Sequence, residues 1–368
     1  MSISREEYLS RLAAVRRELC AVGASALVAG TSARLDGKGL FRWLFGYSFS
    51  AFENYALIPA EGDVVFFAHD AGGAAQAAAS PVVDRAVVIP SALYDAEPAQ
   101  PLLTELAGTR GSIALGGTDV CSARFFDSLR CLLPNRSFVD FSKTLWKLRM
   151  IKSPAELLET AEAIRVNEEA FLAYVAELRR GGSSLSALAA AQTRGYELGM
   201  EDSWWLSERH DWRSAVGYPN QHLVLEHSGP GGHFGEIGQP LLTGQPDELL
   251  RRAQEALVTS IQLAAAEIRP GNRAADVARA AQHYLTDGGW LAPSDAPYCI
   301  GHGQGLDFWE PPFVATDDDT LIRPGMRLNL HPSLPLPGGG RVSYCDCYVC
   351  GEKGPIRLTK LPYDLIIL

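Results

Sequence analysis

The stretch KTLWKLRMIKSP, residues 143–154, decides the organisation of this chain. It is basic and ends in Ser153–Pro154, a pair typical of a helix start because serine caps the helix and proline is tolerated in its first turn. Short apolar runs broken by glycine, proline and charged residues precede it, and long stretches of helical periodicity follow it. We therefore predict two domains, over residues 1–145 and 146–368.

The first segment alternates helix and strand signals. A capping box opens a helical pattern that Gly23 ends. An alanine-rich helical stretch covers residues 71–79, and short apolar runs lie at 26–28, 56–58, 64–67, 87–89 and 112–115. This alternation predicts an α/β domain. The aromatic run at residues 41–52 is interpreted as core and strand packing.

The second segment is richer in helix. Helical patterns cover residues 154–178, 185–195 and 247–267, and strand candidates lie at 223–226, 241–242, 327–330, 342–350 and 356–358. Because helices and strands are segregated here rather than alternating, we predict an α+β domain.

The composition restricts the class of function. With 33 Lys plus Arg against 43 Asp plus Glu, the net charge of −10 repels nucleic-acid backbones and anionic lipid surfaces. The start, MSISREEYLSRL, has no apolar signal-peptide core, and no run of residues is apolar enough to span a bilayer. Seven scattered cysteines suit reduced thiols rather than a disulfide framework. We expect a cytoplasmic protein that acts on a small molecule, without nucleic-acid or membrane partners.

Histidines concentrate in the second segment, which holds seven of the eight. His302 lies in GHGQG, residues 301–305, where flanking glycines leave its imidazole unshielded. An incidental histidine in a glycine-rich turn is an equally good interpretation. His331 follows the strand candidate at 327–330, a position that a buried structural histidine explains more often than a catalytic one.

Two glutamates and a cysteine complete the candidate set. Glu226 ends an apolar run and Glu236 follows the turn SGPGGHFG, so a hairpin would bring both carboxylates to one face. Neighbouring carboxylates favour acid–base chemistry or a bound cation, although solvated hairpin acids are more common. Cys345 shares a strand face with Cys347, where soft-metal ligation competes with simple burial. GxSxG, P-loop, HExxH and paired CxxC motifs are absent, which removes support for serine-hydrolase, nucleotide-binding and zincin functions.

Together these motifs resemble the creatinase/prolidase/aminopeptidase P group of the pita-bread superfamily. GYSFSAFENYALIPAEGDVVFF is similar to the middle of that group's N-terminal domain, and LWKLRMIKSPAELLETAEAIRVNEEAF to its linker and first catalytic helix. Later matches in the group's order include YCIGHGQGLDFWEPPFV, LIRPGMRLNLHPSL and DCYVCGEKGPIRLTKLP. The resemblance covers nearly the whole chain and implies an α+β fold, in which a pita-bread catalytic domain follows a smaller α/β creatinase/prolidase domain.

Metal-dependent members of the group hold two divalent ions with two aspartates, one histidine and two glutamates. The resemblance assigns His302 to the histidine and Glu236 to the second aspartate, and Glu226 lies near the first. His331 and Cys345 stand where the two glutamates belong. Because two acids are lost, too little charge remains for two hard cations, and we expect no intact dimetal centre.

The resemblance also nominates residues around the substrate. His210, in the loop SERHDWR, lies at about the distance before Glu226 at which group members present a substrate-facing histidine, although a surface histidine explains it equally well. Trp309 replaces a histidine of many peptidases in the group, and with Phe308 and Trp205 it is a candidate for the pocket wall. Related members close each cleft with the partner's N-terminal domain, so we expect a homodimer with residues 41–52 at the contact.

Three functions are compatible with these residues. The first is a creatinase-like hydrolase that cleaves a C–N bond of a small amide, guanidino or Xaa-Pro-like substrate by histidine acid–base catalysis, without a dimetal centre. The second is a lyase or oxygenase with a single Zn²⁺ or Fe²⁺, for which the candidate ligands are Glu236, His302, His331 and Cys345. The third is a non-catalytic pita-bread protein that binds a partner in its cleft. The expected cofactor is accordingly none or a single divalent metal.

Overall fold

The computed structural model describes residues 3–32, 37–46, 53–89, 105–106, 110–207, 221–242, 244–336 and 341–368. The chain divides into two compact units, Ser2–Arg149 and Met150–Leu368, and the division falls within the basic stretch 143–154. Among the described residues, no helix is both long and apolar enough to cross a lipid bilayer.

The first unit is built on one mixed sheet. Its elements are α1 (Arg5–Ala21), β1 (Ala24–Thr31), α2 (Gly39–Phe45), β2 (Asn54–Pro59), β3 (Val65–Ala68), α3 (Ala71–Ala78), β4 (Arg85–Val88), β5 (Ser112–Gly116), α4 (Ala123–Leu132), β6 (Phe138–Asp140) and α5 (Ser142–Met150). The strand order is β4-β3-β2-β1-β5-β6, with β2 antiparallel to both of its neighbours and the other pairs parallel. The predicted α/β character of this unit is confirmed.

The aromatic residues before position 46 lie on a buried helix rather than on a strand. Six of the seven residues of α2 are buried, and the rings of Phe41 and Phe45 pack edge-on against Phe66. Gly46 ends the helix with a φ of 69°, a conformation that glycine adopts without strain. The expectation of strand packing is wrong here, because a short helix buried on nearly every side needs no polar face. These rings are buried within their own unit, and residues 47–52 lie outside the described residues.

The second unit contains two main sheets, each covered by a pair of helices. Its elements are α6 (Pro154–Arg179), α7 (Ser184–Glu197), β7 (Ser203–Ser207), β8 (Gln221–His227), β9 (Ile237–Leu242), α8 (Glu248–Ala266), α9 (Ala274–Asp287), β10 (Cys299–Gly303), β11 (Glu310–Ala315), β12 (Arg327–Leu330), β13 (Ser333–Pro335), β14 (Arg341–Ser343), β15 (Asp346–Gly351), β16 (Gly354–Arg357) and β17 (Ile366–Ile367). A capping box of Ser153 and Glu156 starts α6. The predicted α+β class is confirmed.

The two sheets meet where the candidate residues lie. One sheet has the order β17-β9-β8-β7 and packs on α6 and α7. The other is antiparallel, has the order β11-β10-β12-β15-β16 and packs on α8 and α9. Gly238 and Cys345 form a backbone bridge between them, with N–H groups donating over 2.9 and 3.3 Å. This bridge brings the ends of β8, β10 and β12 to one pocket.

Candidate active site

The hairpin of β8 and β9 carries the two glutamates. Leu225 faces Ile237 in this antiparallel pair, and in the same register Glu226 and Glu236 are the next facing residues. Their side chains are 3% and 2% exposed and line one pocket. The hairpin expected from the sequence is formed, and its acids are buried rather than solvated.

His302 lies on strand β10, not in a turn. Its glycine neighbours allow the adjacent strands to approach closely. A Cβ at Gly301 would lie 2.0 Å from the Asn329 carbonyl oxygen, and one at Gly303 would lie 2.4 Å from that of Pro311. The glycines therefore serve backbone packing within the sheet.

The imidazole of His302 is packed rather than unshielded. It is 3% exposed, and its ring centroid lies 5.2 Å from Trp309 and 4.9 Å from His331. It nevertheless lines the pocket, which has a volume of about 170 Å³. The expectation that flanking glycines leave this ring without packing is wrong, because the contacts come from other strands and loops.

His331 and Cys345 line the same pocket. His331 directly follows β12, and Cys345 directly precedes β15. The His331 Nε2 is buried and has no hydrogen-bond partner among the described residues. The Cys345 side chain interacts with the Glu236 carboxylate, and burial, followed by the charge of Glu236, raises the pKa of the Cys345 thiol well above its usual value. Cys345 is therefore a neutral thiol beside Glu236 at neutral pH.

The tautomer of His302 follows from its hydrogen bond. Its Nδ1 lies 2.8 Å from the Gly303 carbonyl oxygen, which only accepts, so Nδ1 carries the hydrogen. Burial, reinforced by neighbouring His331, lowers the pKa of His302 to about 4, so the ring is neutral at neutral pH. Its Nε2 lone pair therefore faces the Glu236 Oε2 at 3.8 Å, and two acceptors meet without a proton between them.

The two glutamates have opposite protonation states. Burial opposes the ionisation of Glu236, but the nearby His331 and His302, with hydrogen bonds from Cys345 and Asn329, bring its pKa below the usual value. The Asn329 Nδ2 donates to the Glu236 Oε2 over 2.6 Å. Glu236 is therefore the ionised member.

Glu226 is the protonated member of the pair. Burial and the charge of Glu236 raise its pKa well above the usual value, and Arg327 and the hydrogen bond from Gln304 offset this only in part. Gln304 donates from Nε2 to the Glu226 Oε2 over 2.9 Å. A carboxyl group neutral at neutral pH can act as a proton donor.

Three of these residues lie close enough together to hold one divalent ion. Ligand atoms of Glu236, His302 and His331 all lie within 4.8 Å of one another. Ligands about 2.0–2.2 Å from one ion lie at most about 4.4 Å apart, so a small side-chain adjustment brings all three onto a single ion. A second dication would need further anionic ligands, and among the described residues the pocket is lined by only two carboxylates, those of Glu226 and Glu236. Cys345 also lies outside the three-residue cluster of described residues.

A buried arginine behind the glutamates escaped the sequence analysis. The Arg327 side chain is 1% exposed, and its guanidinium donates to the side-chain oxygens of Gln304 and Asn329. The available signal was the alternation of Arg327, Leu328, Asn329 and Leu330, which places Arg327 and Asn329 on one strand face.

Strand alternation also decides which tryptophan lines the pocket. Trp204 pairs with Glu226 across β7 and β8 and reaches the pocket, whereas Trp205 packs against the core beneath α6 and α7. Trp309 is 51% exposed at the pocket rim. Phe308 lies behind the rim and stacks on Trp204 at 5.8 Å. His210 lies outside the described residues.

Comparisons with known proteins agree over both units. The Creatinase/Prolidase N-terminal domain matches residues 11–151, and Metallopeptidase family M24 matches residues 159–352. The chain is 22% identical over 254 residues to an uncharacterized peptidase, YqhT, of Bacillus subtilis, over 66% of this chain and 71% of the relative. It is also 22% identical over 253 residues to a Xaa-Pro dipeptidase of Pyrococcus horikoshii, over 66% of this chain and 72% of the relative.

The fold is shared with solved structures. A Xaa-Pro dipeptidase from Bacillus anthracis superposes with a TM-score of 0.81 at 20% identity, over 98% of this chain and all of that one. The two-domain pita-bread architecture implied by the resemblance is confirmed. The relatives include Xaa-Pro dipeptidases and dipeptidases, so the activity supported at family level is peptidase-like C–N hydrolysis. The chain belongs to metallopeptidase family M24.

Proposed function

We propose that this protein hydrolyses a C–N bond of a small amide, guanidino or Xaa-Pro-like substrate at a site built for one divalent metal ion instead of two. The observation that carries the proposal is the convergence of three candidate metal ligands in one pocket. They are the ionised Glu236 carboxylate, the Nε2 lone pair of His302 and the unpartnered Nε2 of His331. A buried carboxylate that faces an imidazole lone pair, as Glu236 faces His302, is unfavourable unless a proton or a metal ion lies between them.

Different residues of the pocket have different roles in the proposed reaction. Glu236, His302 and His331 would hold the ion, which when bound would polarise the scissile group and lower the pKa of a water molecule. Glu226, neutral at neutral pH and facing the same pocket, is the candidate donor of a proton to the departing nitrogen. Trp204 and Trp309 flank the pocket and limit access of water. The pocket volume of about 170 Å³ lies below the range of about 300–1,000 Å³ common for ligand sites, which favours a small substrate.

One observation favours a second candidate function. Two histidines and one carboxylate are also the ligand set of non-haem Fe²⁺ enzymes, which suits a lyase or an oxygenase on the same fold. The two candidates differ in the metal that supports turnover and in oxygen consumption.

Metal content and turnover test the proposal together. The protein is purified without added metal, analysed for bound metals, and assayed on amide, guanidino and Xaa-Pro substrates after loading with Zn²⁺, Mn²⁺, Co²⁺ or anaerobic Fe²⁺. We expect at most one equivalent of metal per chain and hydrolysis that the His302→Ala variant loses. Two tightly bound equivalents, or hydrolysis unaffected in His302→Ala, would refute it. Oxygen uptake with Fe²⁺ would instead favour the second candidate.

A further inference from the structure

Arg327 is a cation held entirely by neutral acceptors. Its guanidinium donates to the Phe234 carbonyl oxygen, to the Gln304 Oε1, to the Asn329 Oδ1 at 3.3 Å and to the Cys347 Sγ at 3.5 Å. Enclosing a charge at 1% exposure is costly unless it is paired and hydrogen-bonded. The two carboxylates of the site do not contact Arg327 directly: Gln304 lies between Arg327 and Glu226, and Asn329 lies between Arg327 and Glu236.

The two amides connect this cation to the carboxylates in only one orientation. A guanidinium has donors and no acceptor, so each amide must turn its oxygen towards Arg327. Each NH₂ group then points away from Arg327, where Gln304 donates to Glu226 over 2.9 Å and Asn329 donates to Glu236 over 2.6 Å. Both ends of each amide therefore require the same orientation, with the oxygen towards Arg327 and the NH₂ group towards a glutamate.

We propose that Arg327 is a positioning residue, which acts through Gln304 and Asn329 to hold the carboxylates of Glu226 and Glu236 in place. The part that concerns the metal rests on the proposed function. A carboxylate with a fixed orientation binds an ion without first losing rotational freedom, so a locked Glu236 favours metal binding. Among the described residues that line the pocket, neither amide is present.

A purely electrostatic role of Arg327 and a positioning role predict opposite changes in metal affinity. If Arg327 acted only through its positive charge, it would repel a cation, and Arg327→Met would tighten metal binding while Arg327→Lys would leave it unchanged. If Arg327 positions the amides, both variants weaken binding, because a lysine ammonium cannot donate as a planar fork to several acceptors. Arg323→Met, an exposed arginine on the same segment, is the matched control.

The first measurement is the affinity for Co²⁺ by calorimetry on the full-length protein, with the visible absorption of Co²⁺ as a report on its ligand geometry. We expect Arg327→Met to weaken binding at least tenfold and Arg327→Lys to weaken it severalfold. Asn329→Leu should resemble Arg327→Met, and combining the two should add little, because both release Glu236. Gln304→Leu should weaken binding less, since its carboxylate partner is Glu226. Tighter binding in Arg327→Met, or wild-type affinity in Arg327→Lys, would overturn the proposal.

The second measurement does not depend on metal. Crystal structures of metal-free wild type, Arg327→Lys and Asn329→Leu are compared after circular dichroism shows that each variant folds. We expect the Glu236 carboxylate to rotate away from its wild-type orientation in both variants, and the Gln304 amide to turn in Arg327→Lys. Carboxylates that stay in place would overturn the positioning role. If the wild type binds no Co²⁺, the proposed function fails, and these structures still decide the role of Arg327.

Discussion

Glu226→Gln should stabilise the metal-free protein at neutral pH, although it alters a buried residue of the pocket. Glutamine has the shape of a protonated glutamate, and its oxygen can accept the same hydrogen bond from Gln304. The wild-type carboxyl group is held protonated by burial and by the charge of Glu236, which raise its pKa well above the usual value. In the unfolded chain this group ionises at neutral pH, and that ionisation lowers the free energy of the unfolded state relative to the folded state. Glutamine does not ionise, so the variant loses this stabilisation of the unfolded state.

The pH dependence has a definite sign. A carboxyl group whose pKa is higher in the folded protein binds more protons there than in the unfolded chain, so its contribution to stability falls as pH rises. The fall begins near the unfolded pKa of about 4.3 and ends above the folded pKa. Each pKa unit between these states corresponds to about 1.4 kcal/mol, so the gain from Glu226→Gln grows as pH rises through this window. Such a gain raises the melting temperature by about 2–4 °C per kcal/mol in a unit of this size.

Urea unfolding of both proteins between pH 4 and 8 measures this difference. We expect a free energy of unfolding that favours the variant at pH 7.5 and converges with wild type near pH 4. Glu236→Gln is the matched control, because Glu236 is ionised and its hydrogen bond from Asn329 is charge-assisted. That variant should lose about 1.5–3 kcal/mol at pH 7.5, the range for a hydrogen bond to a charged group. A Glu226→Gln protein that is less stable than wild type at pH 7.5 would refute the assigned protonation states.

Other outcomes follow from the same geometry. His302→Ala should lower turnover of a cleaved substrate by roughly a hundredfold to ten-thousandfold and abolish binding of one equivalent of Co²⁺. The control His283→Ala changes an exposed histidine and should leave both turnover and Co²⁺ binding unchanged. A fully active His302→Ala enzyme would contradict the placement of the active site. Lys152→Met should lower the free energy of unfolding in urea by about 3–5 kcal/mol, because it removes the cation 2.6 Å from buried Glu310. Adding Glu310→Gln should restore part of this stability, since the double variant no longer buries an unpaired charge. A double variant whose loss equals the sum of the two single losses would argue against the ion pair. Sedimentation at micromolar concentration should give the mass of a homodimer, and a monomeric mass would make that expectation wrong.

Local patterns in the sequence predicted the α/β and α+β classes and the glutamate hairpin, whereas the pita-bread fold and the places of His331 and Cys345 in the candidate site came from the family resemblance. The Ser153–Pro154 helix start, the segregation of helices and strands, and the turn between Glu226 and Glu236 are decided by neighbours in the chain. The glycines around His302 mark a special backbone position from sequence alone. Their purpose was visible only in three dimensions, since the atoms that exclude a Cβ belong to Asn329 and Pro311.

Features that depend on tertiary contacts could not be derived this way. Alternation along β7 predicts that one of Trp204 and Trp205 faces the pocket, but the choice depends on which sheet face the helices cover. The aromatic pattern of α2 suggested a strand because burial on nearly every side removes the polar face that identifies a helix. Likewise, the protonation states of Glu226 and Glu236 depend on burial and on each other, and no local pattern encodes them.

Charge balance explains why this pocket suits one ion. Without metal, the positive charge of buried Arg327 balances the negative charge of the ionised Glu236. One dication adds two positive charges, which a bound hydroxide or an anionic substrate group can offset in part. A second dication would leave two further charges uncompensated in a medium that screens them poorly, and Arg327 would add to the repulsion. The proposed positioning role of Arg327 and the proposed binding of a single metal ion therefore depend on the same residue.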